Sequence, residues 1–206
     1  SAAVAATGRA EAYYSGYRGT AQEFVSAARH GFLYQGQWYA WQGQRRGRSA
    51  FDLRAENFVT FLQNHDQVAN SLRGLRLHQR TSPGRWRALT ALLLLSPQIP
   101  LLFQGQEFAA SAPFLYFADH APELAPRVEE GRRKFMRQFP SIAPAETLDL
   151  LAPPGDAATF HRCQLDPAER ERNGAALRLH ADLLRLRRED RAIAAPARCD
   201  GAVLGE

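Results

Sequence analysis

The 206 residues carry 26 basic and 21 acidic side chains, and the formal charge of +5 rests almost wholly on arginine, since Lys134 is the only lysine. Apolar content is that of a globular protein, which excludes a compositionally disordered chain, and residues 88–103 are divided by Ser96, Pro97 and Pro100 into pieces shorter than the roughly 20 residues of a membrane span. A basic balance invites a nucleic-acid partner, but outside Arg45-Arg46-Gly-Arg48 and Arg132-Arg133-Lys134 the arginines are interspersed with acids, so neither nucleic acid nor membrane is expected as a partner.

The chain starts at Ser1 rather than Met, and no basic start with an apolar segment behind it marks a signal peptide. The natural N-terminus is therefore expected upstream. Cys163 and Cys199 are widely spaced and form no metal-ligand pattern. They read as free thiols of a reducing, cytoplasmic compartment, with a single disulfide as the alternative.

Residues 8–31 predict a helix, because Tyr13, Tyr14 and Tyr17 and then Phe24, Val25 and Ala28 recur at helical spacing. Residues 32–50 are aromatic, glycine-rich and aperiodic, which predicts a long loop of the kind that is functional or mobile. Its Trp38 and Trp41 offer flat faces to sugar rings, or equally to ordinary packing. The next segment, Phe58-Val-Thr-Phe-Leu-Gln-Asn-His-Asp-Gln67, opens as a strand over 58–64 and ends in a polar cluster. Burying Asn64, His65 and Asp66 unpaired would cost several kcal/mol, whereas at the carboxyl end of a barrel strand they would face a ligand. A plain polar turn is the competing reading.

After a loop over 70–80, Ser82-Pro83 supplies an N-cap and a first-turn proline for a helix over 84–95. That helix is apolar from Ala88 onward, so burial on more than one side is expected. Residues 99–103 form a second short strand, again followed by polar residues, Gln104-Gly-Gln-Glu107. Strand, helix and strand at this spacing predict a parallel βαβ unit with a ligand site at its carboxyl edge.

Residues 109–128, with three prolines, read as loop, 129–138 as a charged helix and 139–154 as loop. Asp166-Pro-Ala-Glu169 has the pattern of a capping box. The helix it opens places Ala176, Leu179, Leu183 and Leu186 on one face and ends in Arg187, Arg188 and Arg191, which suit the negative end of its dipole. The tail over 192–206 has no pattern. His30, His120, His161 and His180 show no metal spacing and no calcium-loop pattern is present, so no cofactor or metal is expected. Asp119-His120 after an aromatic run is a weak candidate for a cleft wall.

Together, Phe61-Leu-Gln-Asn-His-Asp-Gln67 and Leu92-Leu-Leu-Leu-Ser-Pro-Gln-Ile-Pro-Leu-Leu-Phe-Gln-Gly-Gln-Glu-Phe108 resemble the last two strands of an alpha-amylase superfamily barrel. Within that superfamily the pattern is similar to the malto-oligosyltrehalose trehalohydrolase family. Gly31-Phe-Leu-Tyr-Gln-Gly-Gln37, Pro113-Phe-Leu-Tyr-Phe-Ala-Asp-His120, Glu130-Gly-Arg-Arg-Lys-Phe135 and Thr159-Phe-His-Arg-Cys-Gln-Leu-Asp166 extend it over most of 10–191. The resemblance implies a partial (β/α)8 TIM barrel of the α/β class, in which residues 1–140 form the C-terminal portion of the barrel. Residues 141–206 would form a linker, the final helix and the start of the C-terminal region. It implies a retaining glycosidase that cuts the α-1,4-glucosidic bond next to the trehalosyl end of malto-oligosyltrehalose or a related α-glucan.

In such enzymes a third carboxylate grips the sugar at the scissile subsite. That catalytic role falls on Asp66, with His65, Gln67 and Asn64 as substrate-binding residues. Glu107 is expected to be structural, its carboxylate tied to nearby backbone or arginine. The family's strand-end nucleophile and general acid have no counterpart among Glu11, Glu23, Asp52 and Glu56, the acids before Asp66. The N-terminal half of the barrel and the C-terminal β-domain are thus expected to be missing, and the chain alone to be inactive. A glucan branching enzyme and a non-catalytic glucan-binding remnant are the alternatives.

Overall fold

The computed structural model describes residues 1–194 and 201–204, so Cys199, and with it the disulfide alternative, lies outside the described residues. The βαβ unit expected from the sequence is present. Val59–Thr60 pairs in parallel with Ile99–Pro100, Val59 opposite Ile99 and Thr60 opposite Pro100. The N–H of Ile99 donates to the Phe58 carbonyl at 3.0 Å and that of Leu101 to the Thr60 carbonyl at 2.8 Å. Both strands are shorter than 58–64 and 99–103. Pro100 has no N–H to give, and Asn64 already starts a helix. Nor are the strands buried. Val59, Phe61, Ile99 and Leu101 are exposed, because among the described residues this sheet has two strands only.

The crossover helix, Pro83–Leu95, begins as its sequence dictates, with the Ser82 hydroxyl accepting from the Arg85 N–H and Pro83 in the first turn. One side buries Leu89 and Leu93 against Ala3, Leu62 and Leu77. The other packs on the final helix, Gly174–Glu189, where the Trp86 and His180 rings lie 5.9 Å apart. The inward face of the final helix keeps Ala176, Leu179 and Leu183, which are half-buried, and differs from the expected one at one end. His180 is buried while Leu186 is exposed. Arg187 also turns away from its own helix end. Its guanidinium donates to the carbonyls of Leu94 at 2.9 Å, of Gln98 at 2.8 Å and of Ser96, and so caps the crossover helix. Charge-assisted bonds to carbonyls that end a helix are stronger than neutral ones.

Elsewhere the local signals meet tertiary competition. The helix expected over 8–31 is a 3-10 turn, Ala12–Tyr14, followed by a helix over Ala21–His30. Between them Gly19 has φ +69°, and a Cβ there would lie 2.3 Å from the Ala6 nitrogen, so the chain crosses itself where only glycine fits. The 32–50 segment contains a small hairpin, Trp38–Tyr39 antiparallel to Gln44–Arg45. The 129–138 helix is instead Ala125–Met136, since Pro126 sits in the first turn where its missing N–H has no cost. Short helices also occupy Ala145–Leu148 and Ala157–Arg162.

The expected capping box at 166–169 closes on one side only. Asp166 accepts from the Ala168 N–H at 3.0 Å, but Glu169 turns away to accept from the Ser111 N–H at 3.0 Å. Glu169–Arg172 is a separate turn that breaks at Asn173, whose amide donates to the Phe108 carbonyl at 3.0 Å. A second core gathers Val4, Ala12, Tyr14, Met136, Phe139, Ile142 and Leu148. Among the described residues no helix is long and apolar enough to cross a membrane.

Candidate functional site

At the carboxyl end of the first parallel strand the backbone turns into the short helix His65–Ala69. Asn64 is its N-cap. The Asn64 Oδ1 accepts from the N–H of Asp66 at 2.9 Å and of Gln67 at 3.4 Å, and the Gln67 Oε1 accepts from the Asn64 N–H at 2.9 Å. The side-chain oxygens of Asn64 and Gln67 are thus used to build the turn, which leaves their amide nitrogens for anything outside. At the far end Arg132 donates to the Asn70 Oδ1 and the Ala69 carbonyl, both at 2.6 Å. Burial drives the Arg132 guanidinium down to about 10.

A turn fixed at both ends presents His65 and Asp66 to solvent. Their side chains are 67% and 61% exposed, with His65 Nε2 3.5 Å from Asp66 Oδ1. So exposed a pair adds little stability. The Asp66 carboxylate also lies in the first turn, toward the positive end of the helix dipole. Close by, burial first and a hydrogen bond with Tyr13 second raise the Tyr14 hydroxyl well above its ordinary range, and the Asp66 charge adds to the effect.

The floor beneath is polar and buried. Gln63 Oε1 accepts from the Leu77 N–H at 2.8 Å, and Gln63 Nε2 donates to Gln106 Oε1 at 3.4 Å, which ties the two strand ends together. The fully buried Arg76 donates to the carbonyls of Ala112 at 2.7 Å and Gln104 at 2.6 Å and lies 5.5 Å from the Phe103 ring. Burial lowers its pKa, opposed by the charge of Glu107. Glu107 was expected to be tied by hydrogen bonds. Among the described residues its carboxylate makes none, although the Arg76 Nη2 is buried without a hydrogen-bond partner, and the link between the two is electrostatic.

Sequence reasoning missed Gln63, Arg76, Gln106 and Arg132. The one usable signal was an amide at each strand end, Gln63 and Gln106. Trp38 and Trp41 are 62% and 45% exposed on their hairpin. Asp119 and His120 are exposed and join no hydrogen bond with the Asp66 turn. Among the described residues no three His, Cys, Asp or Glu side chains gather where a metal could bind. The turn therefore offers one carboxylate, one imidazole and two amides, a set suited to gripping sugar hydroxyls.

No protein-family model matches the chain. A malto-oligosyltrehalose trehalohydrolase from Deinococcus radiodurans is 45% identical over 191 residues, 91% of this chain and 31% of the relative. The chain is a relative of the malto-oligosyltrehalose trehalohydrolases. A second trehalohydrolase, from Arthrobacter ramosus, is 35% identical over 199 residues, 93% of this chain and 33% of its own length. The chain thus spans about a third of the trehalohydrolases it matches. A solved structure described as an alpha amylase, from Salmonella typhimurium, superposes with a TM-score of 0.81 and 36% identity over 92% of this chain and 32% of that one. The mixed α/β arrangement is therefore shared with part of an alpha amylase, while among the described residues the strands form no closed barrel.

Proposed function

We propose that this chain is the Asp66-bearing part of a retaining glycoside hydrolase that releases trehalose from malto-oligosyltrehalose by cutting the adjoining α-1,4-glucosidic bond. Residues 1–140 would supply the last strands and helices of a (β/α)8 barrel, and 141–206 a linker, the final helix and the start of the following region. In a retaining mechanism one carboxylic acid protonates the leaving oxygen, and a second carboxylate attacks the anomeric carbon through an oxocarbenium-like transition state. Asp66 does neither. It accepts hydrogen bonds from the sugar hydroxyls at the scissile subsite, His65 donates to the same sugar, and the Asn64 and Gln67 amides reach its neighbour. Such bonds accelerate the reaction to the extent that they tighten as the ring distorts. Nucleophile and acid would come from outside these residues, so the chain alone does not hydrolyse glucan. The free, buried Cys163 suits the reducing cytoplasm expected for it.

The observation that carries this reading is the placement of exposed Asp66 and His65 on a turn capped at both ends, at the carboxyl edge of a parallel ladder. A hybrid tests it, with these residues replacing the matching third of the Deinococcus radiodurans relative. The hybrid is expected to release trehalose, and Asp66→Asn to lower its turnover by orders of magnitude without unfolding it. Near-full turnover in a folded Asp66→Asn hybrid would refute the role, and transferred glucan chains in place of trehalose would point to a branching enzyme. The exposure of Trp38 and Trp41 favours a second reading, glucan binding without catalysis. It requires malto-oligosaccharide affinity in the chain alone that falls in Trp38→Ala and Trp41→Ala.

A further inference from the structure

The bonds that shape the Asp66 turn differ from the bonds that aim it. Those of Asn64 and Gln67 run between residues 64 and 67, so they travel with the turn wherever it points. A helix of five residues, His65–Ala69, is too short to hold a direction by itself. Its tethers to distant segments gather on Asn70. The Asn70 N–H donates to the Asp66 carbonyl at 2.9 Å and closes the turn, while the Asn70 carbonyl accepts from Arg9. In the side chain, Oδ1 accepts from Arg132 at 2.6 Å and Nδ2 donates to the Tyr13 hydroxyl at 3.3 Å.

An amide suits this junction because it offers an acceptor and a donor on one planar group. Arg132 can only donate, which turns the amide oxygen toward it and the nitrogen toward Tyr13. Both partners are themselves held. The Arg132 guanidinium lies 4.8 Å from the centre of the Tyr116 ring. Tyr13 meets the Phe139 ring edge-on at 5.5 Å, and its hydroxyl lies 3.1 Å from that of the fully buried Tyr14. We propose that Asn70 is the positioning residue for Asp66, a role that rests on the reading of Asp66 as the carboxylate that grips the sugar. Asn70 touches no substrate. It fixes the direction from which the Asp66 carboxylate meets the scissile subsite, and so how far that contact tightens as the ring distorts.

The test is steady-state trehalose release by the hybrid enzyme described above, with a melting curve for each variant. Asn70→Ala leaves the backbone bonds of the turn in place and is expected to lower kcat about tenfold, with KM unchanged to within about twofold. Tyr13→Phe removes one hydroxyl and is expected to lower kcat less. It should add nothing on top of Asn70→Ala, because both cut the same link. Full kcat in a folded Asn70→Ala hybrid, beside an inactive Asp66→Asn hybrid, would overturn the positioning role and leave that of Asp66 standing. Full kcat in Asp66→Asn would instead overturn the reading of Asp66, and the positioning role with it. A raised KM at unchanged kcat would make Asn70 a contributor to plain binding and overturn the role. So would a kcat loss no larger than the unfolded fraction in the melting curve, which would leave Asn70 structural only. If Asn70→Ala does not fold, Tyr13→Phe decides by the same split between kcat and KM.

Discussion

The cluster around Phe139 and the turn that carries Asp66 are built from different forces. Val4, Tyr14, Met136, Phe139, Ile142 and Leu148 come from separate parts of the chain and cohere by excluding water. The turn owes its shape to amide bonds from Asn64 and Gln67 and to Arg132 at its far end, while its own His65 and Asp66 stay in solvent. The contrast teaches that the candidate site is oriented by hydrogen bonds and carried by apolar packing situated elsewhere. Stability and site geometry should therefore respond to different substitutions.

The largest effect is expected from Phe139→Ala, a fully buried ring over which Arg9 lies at 4.8 Å. It should cost about 3–5 kcal/mol in urea unfolding. Arg76→Leu comes next at about 3 kcal/mol, since it leaves the buried carbonyls of Gln104 and Ala112 without donors. A loss as small as that of a surface substitution would mean that Arg76 is replaceable and that the polar floor is no separate layer.

The third effect is a pH slope. Burial, and then the charge of Arg76, depress His78 from 6.5 to about 4. The unfolded chain takes its proton first, so the stabilisation due to neutral His78 is complete above pH 6.5 and is lost as pH falls toward 4. Thermal unfolding between those values should show stability rising with pH, and His78→Gln should flatten the rise. An unchanged slope would place the titrating group elsewhere. The smallest effect, about 1 kcal/mol, is expected from Asn64→Ala, which removes one cap. Hydrogen exchange should quicken over 65–69 and stay unchanged in the Phe139 cluster. If Asn64→Ala cost as much as Phe139→Ala, the two regions would be one cooperative unit and the contrast would fail.

What the sequence made legible follows the same divide. Ser82 and Pro83 announced the crossover helix because cap chemistry acts within one turn. The alternation of strand, helix and strand was enough for the parallel pairing, and the polar residues behind Leu62 were enough to mark the turn on which Asp66 and His65 stand exposed. The break at Gly19 was hidden because its cause, the passing backbone of Ala6, is distant in the chain. Glu169 broke its local pattern because Ser111, from another segment, offered a better donor. Leu186 was misplaced because apolar spacing cannot reveal that His180 and Arg187 take the inward face. Gln63, Gln106 and Arg132 escaped notice because each acts on a residue far away in the chain.

The parallel ladder has a consequence for the order of events during folding. Val59 and Ile99 meet only after the whole crossover has been laid down between them, so their pairing bears a loop-closure cost that the locally capped helix does not. The Pro83–Leu95 helix should gain protection early in pulse-labelled exchange, and the Ile99 and Leu101 amides late. The two strand ends would then reach each other only in the closing steps, which makes the edge that bears Asp66 the last part of the chain to mature.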